Sequence, residues 1–210
     1  MHPYLSRLGV DQEVQEFFEP FYSAGPHGDL CFSYGEDVER YGLAFHRVPV
    51  TPGFWRAGNL HFSQVSQVIV CSSAMDAIAW RQTHRHFFPT LHGLLFLSLA
   101  AAPRATHINW IKQFLPGKQF RLLFPKDILG NIADLKLAAG IRQIPIEIYL
   151  LPGEKLGVQF RLKTYVFEQA VFSLHAFEIA AGFRFHIPTQ KPRAFESYFQ
   201  QLKASAGIIT

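Results

Sequence analysis

The chain has 210 residues, of which 49% are hydrophobic, 17% are charged and 21 are phenylalanines. This composition excludes an intrinsically disordered protein and predicts a dense aromatic core. A net charge of +4 is compatible with a polyanionic partner, although many proteins with neutral partners carry as much. Cys31 and Cys71 are the two cysteines, which excludes a disulfide framework and favours a reducing, cytoplasmic setting.

No segment of the sequence is predicted to enter a membrane. The first residues, Met1-His2-Pro3-Tyr4, differ from the apolar stretch that is typical of a signal peptide. The longest apolar run, residues 91–103, is shorter than the roughly 20 residues that cross a bilayer. We therefore expect a cytoplasmic protein without membrane contact.

Residues 1–65 predict a small α+β unit. Apolar residues at spacings of three and four predict an amphipathic helix over residues 10–23. Two short strands are then predicted at residues 30–34 and 41–48 around a glycine-containing turn, and a third strand near Trp55.

Residues 66–152 alternate between strand and helix patterns. The strands are apolar at almost every position, which is typical of a parallel sheet that is covered on both faces. They are predicted at residues 67–71, 94–99, 119–124 and 145–151, with helices at 73–87, 104–115 and 128–140 between them. Right-handed βαβ crossovers follow from this alternation. We predict an α/β fold with a mostly parallel four-stranded sheet, followed by an α+β extension over residues 153–210.

The junction after strand 67–71 contains the most informative motif. Ser72 follows this strand directly, and Asp76 lies in the first turn of the helix that comes next. Asp127 and Gly130 stand in a similar place after the strand at 119–124. These motifs resemble those of a Toprim domain, the metal-dependent fold of DnaG-type primases and topoisomerases. The resemblance implies the same sheet and the same site at its carboxyl edge.

The likeness extends towards both ends of the chain. Residues 4–10 resemble the start of primase-like proteins from conjugative plasmids and transposons, and Phe177, Gly182 and Lys191-Pro192 resemble their tail. The resemblance implies a protein derived from the DNA-processing machinery of mobile elements.

Two positions depart from the Toprim pattern. Ser72 stands where that family has its catalytic glutamate, and Pro125 replaces the first residue of its Asp-x-Asp motif. Mg²⁺ requires oxygen ligands, mostly from carboxylates, to act in phosphoryl transfer. Asp127 alone predicts a weak Mg²⁺ site. The leading hypothesis is therefore a catalytically impaired protein, with no cofactor or with weakly bound Mg²⁺, that binds nucleic acid or a protein partner.

Five residues are predicted to contact nucleic acid. Arg81 and Arg85 lie near the end of the first α/β helix, whereas Arg47, Arg56 and Trp55 belong to the strand-rich front unit. Cations interleaved with aromatic residues suit phosphate contacts combined with base stacking.

Other interpretations stay open. A divergent nucleotidyl transferase or nuclease could use Asp76 and Asp127 with a further carboxylate such as Glu147 or Glu178. A protein-interaction module would present exposed aromatic residues. Asp76 and Asp127 are also placed to stabilise helix N-termini.

Overall fold

The computed structural model describes residues 1–87 and 91–208, which form an α/β structure with three β-sheets. The helices are α1 (Pro3–Arg7), α2 (Gln12–Phe18), α3 (Ala74–His84), α4 (Ala105–Phe114), α5 (Ile128–Arg142), α6 (Leu174–Ala181) and α7 (Tyr198–Ser205). The strands are β1 (Ser23–Ala24), β2 (Leu30–Tyr34), β3 (Asp37–Tyr41), β4 (His46–Arg47), β5 (Trp55–Gly58), β6 (Gln67–Cys71), β7 (Leu94–Ser98), β8 (Gln119–Leu123), β9 (Glu147–Leu151), β10 (Lys155–Phe160) and β11 (Lys163–Glu168).

The central sheet has the order β5-β7-β6-β8. Strand β6 pairs in parallel with both β7 and β8, whereas β5 pairs antiparallel with β7. A C-terminal segment extends the sheet beside β8, because Leu122 N donates to Pro188 O and Gln190 N donates to Leu122 O. The three parallel strands β6, β7 and β8 correspond to the first three of the four strands that the sequence predicts within residues 66–152.

The prediction of a fourth parallel strand at residues 145–151 is wrong. Residues 147–151 form β9, which pairs antiparallel with β10 in a separate sheet, and the fourth central strand is the antiparallel β5. The central sheet is therefore mixed, and the predicted mostly parallel, Toprim-like four-stranded sheet is not formed. Gly153 and Glu154 have positive φ values of 75° and 55°. Such a tight turn makes a local antiparallel hairpin, which needs no crossover.

The two outer sheets are antiparallel. The first has the order β1-β2-β3-β4 and the third has the order β11-β10-β9. The strand predicted at residues 41–48 is divided between the end of β3 and the two-residue β4. Hydrogen-bonded strand pairs also cross both predicted domain boundaries, since β5 joins the central sheet and β9 pairs with β10.

The central sheet separates two hydrophobic cores. One core contains Phe18, Trp80 and Phe96 and lies between the sheet, α2, α3, α7 and the first sheet. The other contains Phe177 and Phe185 and includes side chains from α4, α5, α6 and the third sheet. No helix within residues 1–87 and 91–208 combines the length and the apolar character that a bilayer crossing requires.

Candidate functional site

The carboxyl ends of β6 and β8 border a shallow pocket, which we call the carboxyl-edge pocket. Its volume is about 360 Å³. It is lined by residues that follow the two strands, by the start of α7 and by His46, namely His46, Val48, Ser72, Ser73, Asp76, Ala101, Pro125, Asp127, Glu196, Ser197, Phe199, Gln200 and Lys203. The fold thus brings Ser72, Asp76 and Asp127 to one edge, as the crossover rule predicts.

Asp76 connects two helices through its carboxylate. Its Oδ2 accepts hydrogen bonds from Ser73 Oγ at 2.7 Å and Ser72 Oγ at 3.2 Å, and its Oδ1 accepts one from Phe199 N at 3.0 Å. The residue is only 4% exposed, and this burial raises its pKa. Both oxygens are therefore engaged by donors of the chain itself, so Asp76 holds the start of α7 against the start of α3.

Glu39 is a buried carboxylate that the sequence reasoning missed. It accepts hydrogen bonds from Ala74 N at 2.8 Å and Met75 N at 3.3 Å, at the first turn of α3. Tyr34 Oη lies 2.6 Å from one oxygen, and His46 Nε2 lies 2.8 Å from the other. The alternation of β3 could have revealed it, since Glu39 and the core residue Tyr41 point to the same face.

Asp127 and Gly130 have structural roles at the start of α5. Asp127 Oδ1 accepts the Gly130 N–H at 2.7 Å and so caps the helix. Gly130 lies so close to the preceding loop that an added Cβ would overlap the Pro125 carbonyl oxygen. A glycine is therefore required here by packing.

Within the described residues, no three histidine, cysteine, aspartate or glutamate side chains are arranged to hold a metal ion. The additional carboxylates of the enzyme hypothesis lie elsewhere. Glu147 belongs to the third sheet, and Glu178 Oε1 accepts the Phe185 N–H at 2.8 Å. The predicted weak Mg²⁺ site at Asp127 stays a prediction.

Three of the predicted nucleic-acid contacts have partners in the fold. Arg81 is 1% exposed and its Nη2 lies 3.1 Å from Glu13 Oε1. Arg85 Nη1 forms a 2.7 Å ion pair with Asp11 Oδ2. Trp55 is buried and donates its Nε1–H to a backbone carbonyl, Phe21 O. Arg81 and Arg85 thus connect the start of α2 to α3, and Trp55 connects β5 to the segment that follows α2.

The other two predicted contacts, Arg47 and Arg56, are exposed. Arg47 lies directly opposite Arg40 on the outer face of the first sheet, in a row that continues to Cys31. Cys31 and Arg56 both line a groove of about 600 Å³ between the first sheet and β5. The groove therefore separates the Arg40–Arg47 pair from Arg56.

A cluster of rings and cations surrounds Arg56, and we call it the basic-aromatic band. The Arg56 Cζ lies 5.9 Å from the ring centroid of Phe62 and 5.7 Å from that of Trp110. Phe114 is 41% exposed and its ring lies 5.2 Å from Trp110. Lys118 Nζ reaches Ser63 O, next to Phe62. The band comprises Arg56, Phe62, Trp110, Phe114 and Lys118.

Lys118 also belongs to a second feature, the cationic pocket, at the amino ends of β6 and β8. This pocket has a volume of about 540 Å³ and contains no aspartate or glutamate among its lining residues. Its basic lining residues are Lys112, Lys118, Arg121, Arg142 and His186.

The sequence contains a signal for this surface that the motif analysis did not use. Asp76 is the only acidic residue between Arg40 and Lys126, and it is buried. The same stretch contains ten lysines and arginines, which are Arg40, Arg47, Arg56, Arg81, Arg85, Arg104, Lys112, Lys118, Arg121 and Lys126. The middle of the chain is thus strongly basic, although the net charge of the whole chain is modest.

The chain gives no match to protein-family models, to curated proteins or to solved structures. The resemblance to Toprim-domain primases therefore has its basis in the short motifs alone.

Proposed function

We propose that this protein binds single-stranded nucleic acid along the basic-aromatic band and does not catalyse phosphoryl transfer. The observation that carries the proposal is the continuity of cations and partly or fully exposed rings from the exposed Arg56 to the half-buried Lys118. Cations contact the phosphates of a single strand, and aromatic faces stack its bases. The resemblance to primase-like proteins makes single-stranded DNA the first probe.

The charge around the band supports a polyanionic partner. Phosphates are repelled by nearby carboxylates, and the stretch that supplies the band contains one acidic residue, which is buried. Among the described residues, Arg56 is the one charged residue that lines the groove. Beyond the groove, Arg47 is exposed, whereas Arg40 forms a 3.5 Å ion pair with Asp29 Oδ2. A bound strand can therefore contact Arg56, Lys118 and, across the groove, Arg47.

The arrangement at the carboxyl-edge pocket argues against phosphoryl transfer there. Asp76 has both oxygens occupied by protein donors, and Ser72 donates its hydroxyl to the same carboxylate. To bind at Asp76, Mg²⁺ would have to displace these hydrogen bonds and give up part of its hydration shell in a buried place. Binding without catalysis is the activity that these contacts favour.

The test is fluorescence anisotropy with single-stranded DNA and RNA from about 50 to 200 mM salt, where phosphate contacts weaken most visibly. Arg56→Ala combined with Lys118→Ala should weaken binding and reduce the salt slope by about one for each phosphate that the double variant no longer neutralises. Lys163→Ala removes an exposed cation of β11, in the third sheet, and serves as the matched control. If neither single-stranded DNA nor single-stranded RNA binds at low salt, the proposal is wrong.

Stacking is tested separately from charge. Phe114→Ala removes an exposed ring and leaves every cation in place. Base stacking on an aromatic side chain contributes about 1–3 kcal/mol, so affinity should fall roughly 5- to 150-fold while the salt slope stays unchanged. A loss of affinity that came with a changed slope would mean that the ring acts by holding the cations in position.

A protein-interaction role is the second candidate, and the hairpin that joins β3 to β4 favours it. Leu43 and Phe45 are exposed there beside the Arg40–Arg47 pair, and Val50 follows on the same segment. Single exposed apolar residues are ordinary, but a group of them next to two cations suits an acidic, apolar partner segment. Replacing Leu43 and Phe45 with serine leaves nucleic-acid binding intact if the band is the binding surface.

A further inference from the structure

The cationic pocket concentrates positive charge on a concave surface of the protein. Lys112 comes from α4, Lys118 and Arg121 from β8 and the turn before it, and Arg142 from α5. Pockets of this size hold small ligands or single groups of larger ones. The chemical class that fits is an anion with more than one negative charge.

One of the arginines is held in place before any ligand arrives. Arg142 donates its Nε–H to Phe185 O at 2.7 Å and an Nη2–H to His186 O at 3.3 Å. The guanidinium of Arg121, in contrast, donates to Gln190 Oε1 at 3.2 Å on the sheet face that Trp80 covers, so it does not point into the pocket. Orienting a guanidinium in advance reduces the entropy that is lost when it binds an oxyanion.

The positive charge of the pocket exceeds the partial negative charge of the neighbouring helix C-termini. The C-terminal ends of α4 and α5 border the pocket, and each carries about half a negative charge. Together they offset roughly one of the three permanent positive charges of Lys112, Lys118 and Arg142. The remaining charge is available to a ligand.

We propose, building on the nucleic-acid function above, that the cationic pocket receives a terminal phosphate monoester of the bound strand. Lys118 connects the pocket to the basic-aromatic band, so a strand on the band can place its end there. A phosphate monoester carries about 1.5 to 2 negative charges at neutral pH, whereas each internal phosphodiester carries one. The pocket therefore distinguishes the end of a strand from its interior.

The experiment compares three forms of one single-stranded oligonucleotide, with a 5′-phosphate, with a 3′-phosphate, or with hydroxyl groups at both ends. One phosphorylated form should bind about tenfold more tightly than the hydroxyl form, because the doubly charged monoester forms charge-assisted hydrogen bonds with the cations of the pocket. Lys112→Glu and Arg142→Ala should each remove this preference and leave the affinity for the hydroxyl form nearly unchanged. Lys136→Ala on the exposed side of α5 is the control and should keep the preference.

Pyrophosphate and a nucleoside monophosphate are tested as competitors to identify the source of the phosphate. Equal affinity for all three oligonucleotides would overturn the terminal-phosphate proposal while leaving the nucleic-acid function in place. Pyrophosphate binding that depends on Lys112, without binding of any oligonucleotide, would overturn both and identify the pocket as a site for free phosphates. If the nucleoside monophosphate binds as tightly as the phosphorylated strand, the pocket is a site for free nucleotides and the terminal-phosphate proposal is wrong.

Discussion

A carboxylate meets the first turn of a helix at three places around the carboxyl-edge pocket. Glu39 accepts the first N–H groups of α3, Asp76 accepts an N–H of α7, and Asp127 caps α5. Helix N-termini carry partial positive charge and unsatisfied donors, so they stabilise anionic side chains. Acids that resemble metal ligands in sequence thus have a structural function in the fold.

Replacing Glu39 tests the most buried of these contacts. Glu39→Ala leaves two N–H groups of α3 without their acceptor in a buried region and leaves the Tyr34 hydroxyl with Ser98 Oγ alone, which should lower the free energy of unfolding by roughly 3 kcal/mol or more. Asp37→Ala, at an exposed position of the same strand, should change it by less than about 0.5 kcal/mol. Urea denaturation measures both, and similar small losses would show that Glu39 does not support α3.

Asp134 gives a pH dependence to stability. Burial raises its pKa to about 6, although Lys191 Nζ lies 2.5 Å from its Oδ2. A raised pKa means that the folded protein holds the proton more tightly than the unfolded chain does. The contribution of Asp134 to the free energy of unfolding therefore falls by about 3 kcal/mol as pH rises from about 4 to about 6.

Asp134→Asn should flatten that part of the stability profile. Denaturation midpoints at several pH values between 4 and 7 measure the slope. Glu147→Gln removes an exposed carboxylate of β9 and should leave the slope as in the wild-type protein. An unchanged slope in Asp134→Asn would mean that Lys191 fully compensates the burial of the carboxylate.

At the scale of single elements, the start of α5 shows how close packing outweighs helix propensity. Alanine is favoured over glycine by about 1 kcal/mol in a helix interior. At Gly130, however, an added Cβ would overlap the Pro125 carbonyl oxygen, whereas at Gly140 it would overlap atoms of a side chain, that of Ile108. A backbone carbonyl is fixed by its neighbours in the chain, whereas a side chain can move to make room for an added methyl group.

Gly130→Ala should therefore be more destabilising than Gly140→Ala. We expect a loss of about 1–3 kcal/mol at Gly130, because the overpacking of backbone exceeds the gain in propensity. Gly140→Ala is the matched change in the same helix, with a smaller loss. Thermal unfolding of the two variants under identical conditions decides this, and equal midpoints would contradict the packing argument.

At the scale of the whole molecule, charge is distributed unevenly along the chain. Asp76 is the single acid between Arg40 and Lys126, so the N-terminal and C-terminal parts contain the other acidic residues. Folding pairs some of these acids with basic residues from the middle, as in Glu13–Arg81 and Asp11–Arg85. The cations of the band and the cationic pocket that form no ion pair within residues 1–87 and 91–208 include Arg56, Lys112, Lys118 and Arg142.

Metal affinity is also a property of the folded molecule, because Glu39, Asp76 and Asp127 come from three separate parts of the chain. Their engagement by helix N-termini predicts that Mg²⁺ binds with a dissociation constant no better than millimolar. Titration calorimetry with the wild-type protein and with Asp127→Asn measures this, and the two should give similar heats. A micromolar constant that depends on Asp127 would instead support the divergent-enzyme hypothesis.

Local patterns were sufficient for several features. The apolar strands at residues 67–71, 94–98 and 119–123 and the helices that follow them agree with the predicted elements to within a few residues. The crossover rule then brought Ser72 and Asp127 to one edge, because successive parallel strands end on the same side of a sheet. The capping of α5 by Asp127 and the position of Asp76 in the first turn of α3 were among the interpretations that sequence alone allowed.

The sequence by itself determined the α/β class, the three parallel strands and the edge at which the conspicuous polar residues lie, since these depend on short-range periodicity. Only the tertiary structure decided that β5 completes the central sheet, that β9 turns back onto β10, and that Glu39 and Arg81 are buried. Each of these features depends on which of several distant segments packs against a given strand or helix. Such competition is resolved by the packing energy of the whole chain, which no local pattern contains.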